Sequence, residues 1–154
     1  MMKPRYALHG PGEGVNYDWQ NDHTFVKVSA ADTGAAYTLM EDNLKPGFEL
    51  GLHRHDTHAE TFYILEGQIV FYVDGDWHDL GPNTTLHVPP GVPHGCRAPD
   101  GGRMLMIYQP SGFDGFLAEM ARMEPRDFDD PARMALLSAK YDIVDMGPLP
   151  ERTA

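Results

Sequence analysis

Four residues in two short segments carry the chemistry this chain can offer. They are His53, His55 and Glu60 in GFELGLHRHDTHAETFYILEG, and His94 in VPPGVPH. Histidines one residue apart on a strand point to the same face, roughly 6.5–7 Å from each other. That separation lets two imidazoles converge on one ion with metal–nitrogen bonds of about 2.0–2.1 Å. Glu60 opens ETFYIL, which reads as a strand returning beside the first, so a carboxylate is expected in the same sphere from the neighbouring strand. His94 follows a Pro-Pro-Gly turn and is expected to supply the fourth donor. Three imidazoles and a carboxylate suit one divalent transition metal ion per chain, with room left for water, dioxygen or a substrate. Iron, nickel, manganese, cobalt, copper and zinc all fit, and the ligand types alone do not choose among them.

The remaining candidates are weaker. His58 falls in the turn between His55 and Glu60, where a rim position or a hydrogen bond to a ligand is expected. His87 precedes the Pro-Pro turn and reads as an ordinary hydrogen-bonded histidine, while His9, His23 and His78 have no partners in the pattern. Cys96 is the only cysteine, which excludes an intrachain disulfide, and it reads as a small packed residue.

The elements that must position these residues are short. From Phe25 to Tyr108 the chain is a series of apolar runs separated by Gly, Pro, Asp and Asn: FVKVS, AAYTLMED, FELGLHRH, ETFYILEG, QIVFYVDG, DWHDL, TTLHVP and RMLMIYQ. Each has strand length and composition, and Asp74-Gly75 is a hairpin signal. Many short strands at this spacing predict an antiparallel sandwich or barrel. Residues 1–24 read as an irregular polar arm, 25–110 as the barrel and 111–154 as a helical extension. In that extension Phe113, Phe116, Leu117 and Met120 form one helical stripe. Asp130-Pro131 reads as the start of a second helix whose buried edge is Met134, Leu137 and Tyr141. Both helices are expected to cover the barrel.

Strand parity places Phe62 and Ile64 inside with Glu60, as candidate walls of a substrate pocket; Met104, Met106 and Tyr108 alternate in RMLMIY as candidates for a further wall, which core packing explains equally well. Thr61, Tyr63 and Leu65 then face outward, either beneath the helices or in a dimer interface.

A chain of 154 residues with 42% hydrophobic residues is expected to form one globular domain. Its net charge of −11 opposes binding to nucleic acid or to an anionic membrane. The N-terminal residues lack a long apolar stretch, so neither a signal peptide nor a membrane span is read there, and a cytoplasmic location is expected.

With those residues in place, the chain resembles the cupin superfamily, whose fold is a double-sheet jelly roll, also described as a double-stranded β-helix. The first cupin motif is matched without exception by Gly47, His53, His55, Glu60 and Gly67. The second is matched at Pro89, Gly91 and His94, with Asn83 in place of its leading glycine and Ala98 in place of its final asparagine. Asn tolerates the left-handed backbone of a turn, and the asparagine is not a metal ligand. Within the family, HRHDTHAETFYILEG, PSGFDGFLAEMA and KYDIVDMGPLP look most like small single-domain, quercetin 2,3-dioxygenase-like proteins. The resemblance implies a metal-dependent oxidoreductase, a dioxygenase acting on a small enolic, phenolic or carbonyl compound. Glu60 would then serve as both ligand and catalytic base, and the protein as a homodimer. The alternatives are an isomerase, epimerase or decarboxylase using the same centre, or a non-catalytic small-molecule-binding cupin. A DNA-binding sensor fits poorly, since no helix-turn-helix pattern is present.

Overall fold

Period-two burial shapes the middle of the chain. In TLMEDNL the residues Thr38, Met40, Asp42 and Leu44 are buried while those between them are not. This is the signature of strands with one face turned to a core. The computed structural model describes residues 2 and 4–153. Its elements in chain order are β1 (Val15–Asp18), β2 (Asp22–Val28), the one-turn helix α1 (Ala30–Thr33), β3 (Thr38–Leu44), β4 (Phe48–Arg54), β5 (Ala59–Gly67), β6 (Ile69–Val73), β7 (Asp76–Leu80), β8 (Thr85–Val88), β9 (His94–Ala98) and β10 (Gly102–Gln109). There follow α2 (Phe113–Met120), α3 (Pro125–Phe128), α4 (Pro131–Lys140) and β11 (Val144–Asp145).

The strands form two antiparallel sheets, ordered β1-β2-β3-β10-β5-β8 and β11-β4-β9-β6-β7. The apolar runs predict an antiparallel sandwich or barrel, and the two sheets form the jelly roll that the resemblance implies. On the six-stranded sheet the registers align three inward rows. The first is Thr24, Asp42, Met104 and Ile64; the second is Val26, Met40, Met106 and Phe62; the third is Thr38, Tyr108, Glu60 and Val88. All twelve are buried. An apolar row therefore separates the carboxyl of Asp42 from that of Glu60. The facing sheet contributes Phe48, Ile69, Phe71, Cys96 and Ala98 to the same core.

Two local features set strand alignment. Asp74 and Gly75 both have positive φ (49° and 101°), as a two-residue hairpin turn between β6 and β7 requires. At Gly95 a Cβ would lie 2.7 Å from the Leu50 carbonyl oxygen and 2.8 Å from that of Gly51. Only glycine lets β9 close on β4 where the register of β4 shifts between Leu50 and His53.

The arm read as irregular is partly a strand pair. β1 and the start of β2 form a hairpin at the sheet edge, with Val15 opposite Val26. An edge strand needs no apolar alternation, so VNYD carried no pattern to read. The extension holds three helices rather than two, the additional one being the single turn α3. α4 begins as the sequence predicts, with the Asp130 side chain accepting from the N–H groups of Ala132 and Arg133 and with Pro131 in the first turn. No helix of the described residues is long and apolar enough to cross a membrane.

Candidate metal centre

His53 lies near the end of β4, His55 just beyond it, and His94 opens β9 directly opposite His53. Glu60 is the second residue of β5. β5 is not the neighbour of β4, which corrects the sequence expectation: β4 pairs with β9 and β11, and β5 with β10 and β8 in the other sheet. Residues 56–58 carry the chain across the barrel, so the carboxylate enters from the facing sheet. The donors thus close on one another from both sides. One ligand atom from each of the four lies within 4.8 Å of the others, and all four side chains are buried.

The rings are held in a definite orientation. Nδ1 of His53 lies 2.9 Å from the Gly51 carbonyl, Nδ1 of His55 2.9 Å from that of Asp142, and Nδ1 of His94 3.0 Å from that of Val92. A carbonyl can only accept, so each Nδ1 donates, and each ring turns its Nε2 to the centre. Nε2 of His55 and of His94 lie 3.2 Å and 3.0 Å from the same Glu60 oxygen. Burial, reinforced by the nearby His94, depresses the pKa of His53 to about 4, so its ring is neutral at pH 7. Burial would raise the carboxyl of Glu60, but hydrogen bonds from His55 and His94 outweigh it and hold the group well below the usual carboxylate range. Burial also opposes the charged form of His55, but its hydrogen bond to Glu60 prevails and the pKa is raised. An ionised carboxylate shared between two imidazoles, with a neutral third beside them, fits a single divalent cation taking the place of the shared protons.

A cavity of about 620 Å³ opens onto His53, His55 and Glu60. Its apolar wall includes Phe48, Met104 and Met106, and residues Phe113, Phe116, Leu117 and Met120 of α2 form its roof. Of the residues expected to line a substrate pocket, Met104 and Met106 do so. Phe62, Ile64 and Tyr108 are not among the cavity-lining residues. Phe62 packs on Phe71 at 4.9 Å between ring centroids, and Ile64 shares the core with Ile69. The Tyr108 hydroxyl lies 3.0 Å from Nδ1 of His55 and donates to the Tyr141 carbonyl. Parity places a side chain inside, but the facing sheet decides which inward rows are filled and which border the opening.

Sequence reading missed two groups. Asp22 and Asp42 line the same cavity, linked through Thr24, whose hydroxyl lies 3.3 Å from one carboxylate and 3.1 Å from the other. Burial, then the charge of Asp22, pushes Asp42 up to about 8. Strand parity in TLMEDNL could have found Asp42, which shares its face with Met40 and Leu44. Asp142 is the second group, and no local pattern announces it. Its carboxylate receives His58 Nδ1 at 2.7 Å. The His58 ring also stacks on Tyr108, with centroids 4.6 Å apart. His87 faces outward and bonds to Thr61. Cys96 is buried, and burial raises its thiol pKa, which suits packing rather than reactivity.

Residues 40–108 match the family model described as Cupin domain. The chain is 38% identical over 72 residues to a quercetin 2,3-dioxygenase of Bacillus subtilis, a match covering 47% of this chain and 21% of that protein. The chain therefore spans about a fifth of that relative's length. Among solved structures, KdgF from Halomonas sp. superposes with a TM-score of 0.62 at 15% identity, over 71% of this chain and 98% of that one. Ectoine synthase from P. lautus superposes with a TM-score of 0.61 at 17% identity, over 90% of this chain and 86% of that one. Both structural likenesses concern the fold.

Proposed function

We propose that this chain is a single-metal enzyme of the cupin superfamily, whose domain model matches residues 40–108, and within it a dioxygenase acting on a small enolic, phenolic or carbonyl compound. The observation that carries this reading is the convergence of four buried donors beside an apolar cavity, with each Nδ1 tied back to a carbonyl. His53, His55, Glu60 and His94 would hold the ion, which when bound supplies Lewis-acid stabilisation to a deprotonated substrate oxygen. Glu60 is the ionised group of the four and the one suited to take the proton from a substrate hydroxyl. Met104, Met106, Phe113 and Phe116 exclude bulk water and favour a planar, largely apolar substrate. The match to the quercetin 2,3-dioxygenase favours dioxygen as co-substrate.

A second reading is a non-oxidative isomerase, epimerase or decarboxylase. One observation favours it: the Asp42 carboxyl in the cavity wall, linked through Thr24 to Asp22, is an acid–base group apart from the four donors. The two readings part in an oxygen electrode. Metal analysis of protein purified without a His-tag comes first, followed by a screen of enediols and flavonols for oxygen uptake. Uptake that disappears in Glu60→Gln supports the dioxygenase. Turnover without uptake moves the assignment to the second reading. Failure to hold any of the six candidate metals after reconstitution overturns both and leaves a binding role.

The reading includes a homodimer. Tyr63 and Ile107 lie on the outer face of the six-stranded sheet and stay exposed while α2 covers the cavity, so the helices leave this face open for a second copy.

A further inference from the structure

Asp142 follows α4 in a left-handed backbone conformation (φ 57°), which brings both its carbonyl and its carboxylate against residues 55–58. Its carbonyl accepts from His55 Nδ1 at 2.9 Å. Its carboxylate accepts from the N–H of Asp56 at 2.9 Å, from the N–H and hydroxyl of Thr57 at 2.8 Å each, and from His58 Nδ1 at 2.7 Å. These contacts all fall between two of the candidate ligands, His55 and Glu60. Each of these partners can donate, so one turn of chain satisfies the carboxylate as an acceptor. The flanking chain is fixed as well. Tyr108 donates to the Tyr141 carbonyl, and Val144 and Asp145 pair with Arg54 and His53.

We propose that Asp142 is a positioning residue of the metal centre. Its carbonyl sets the ring of His55, and its carboxylate holds the turn that delivers Glu60 from the facing sheet. Affinity for the ion therefore depends on a residue 87 positions from the ligand it orients. His58 belongs to the same device: clamped by Asp142 and stacked on Tyr108, it supports the turn rather than entering the coordination sphere. The inference rests on the metal reading given above.

Three substitutions separate the parts. Asp142→Gly keeps the left-handed backbone and the carbonyl but removes the carboxylate. Asp142→Asn tolerates the same backbone and retains one side-chain oxygen. Asp142→Ala removes the carboxylate and strains the backbone; where it fails to fold, the Gly and Asn variants carry the test. The probe is Co²⁺, titrated against a chromogenic chelator and read also by the visible spectrum of the bound ion. Thermal unfolding in EDTA reports the metal-free fold. Asp142→Gly is expected to bind Co²⁺ about 10–100-fold more weakly with an altered spectrum, and Asp142→Asn to recover most of the affinity. A lower metal-free melting temperature with unchanged Co²⁺ affinity and spectrum overturns the proposal and leaves Asp142 a merely structural residue. If the unsubstituted protein binds no Co²⁺, the metal reading falls and takes this one with it. If it binds Co²⁺ as tightly as every folded variant does, only this proposal falls.

Discussion

His53 and His94 face each other directly across adjacent antiparallel strands, with ring centroids 4.4 Å apart. Strands β5 to β8 lie between them in the chain, yet the pair is as close as neighbouring side chains on one strand. This register is set by the approach of β9 to β4 at Gly95, where any Cβ would collide with the carbonyls of Leu50 and Gly51. The centre is thus half built by one strand pair, and Glu60 completes it from the opposite sheet.

His94→Ala is expected to remove the metal while keeping the fold. His94 is buried and its Nε2 lies 3.0 Å from Glu60, so its loss takes away one donor and one of the two imidazoles on that carboxylate. Elemental analysis should fall from about one ion per chain to background, while circular dichroism keeps its strand signature. Retention of stoichiometric metal by the variant would remove His94 from the ligand set.

Met106→Trp is expected to fill the cavity without touching the donors. Met106 borders the opening while Phe62, its cross-strand partner on β5, packs on Phe71 behind it. Turnover of any substrate found should drop by at least about tenfold, for a change that blocks substrate positioning. Co²⁺ affinity should stay the same. Equal turnover in the variant would place the substrate elsewhere.

Stability should fall as pH rises, because of Asp42. Burial, then the charge of Asp22, raises this carboxyl from its ordinary 3.8 to about 8. The unfolded chain releases the proton near the ordinary value while the fold retains it. Folding is therefore favoured most below about pH 4, and the advantage declines until pH passes about 8. The limiting slope for one proton is about 1.4 kcal/mol per pH unit. Asp42→Asn keeps the shape and cannot ionise, so urea denaturation at pH 5.5 and pH 8 should show its advantage over the unsubstituted chain growing with pH. Parallel profiles would mean that Asp42 is ionised in the fold.

The outer face of the six-stranded sheet yields a test of assembly. Tyr63 is 37% and Ile107 38% exposed, enough to place both at a surface and little enough that they already rest against neighbours. Light scattering should report a dimer that Tyr63→Glu with Ile107→Glu converts to a monomer. A monomer before substitution would rule the interface out.

The strands and the ligand set were legible because both are written locally. Period-two alternation and turn residues mark eight of the strands, and the offsets from His53 to Glu60 lie within one hairpin-length segment. β9 escaped because HGCRA is short and has little apolar alternation, and β1 because an edge strand imposes none. Phe62 and Ile64 were placed inside by parity, yet packing from Phe71 and Ile69 excludes them from the cavity wall.

By itself, then, the sequence determined which residues could ligate and which elements would carry them, since residue type, spacing and alternation act over a few positions. Only the tertiary structure decided how those elements meet. Glu60 reaches the histidines from the facing sheet, Asp42 shares the cavity with them, and the Asp142 carbonyl meets His55 from 87 positions along the chain. Such contacts depend on sheet register and on the crossing of the 56–58 turn, and those follow from the packing of the whole core rather than from any short stretch of chain.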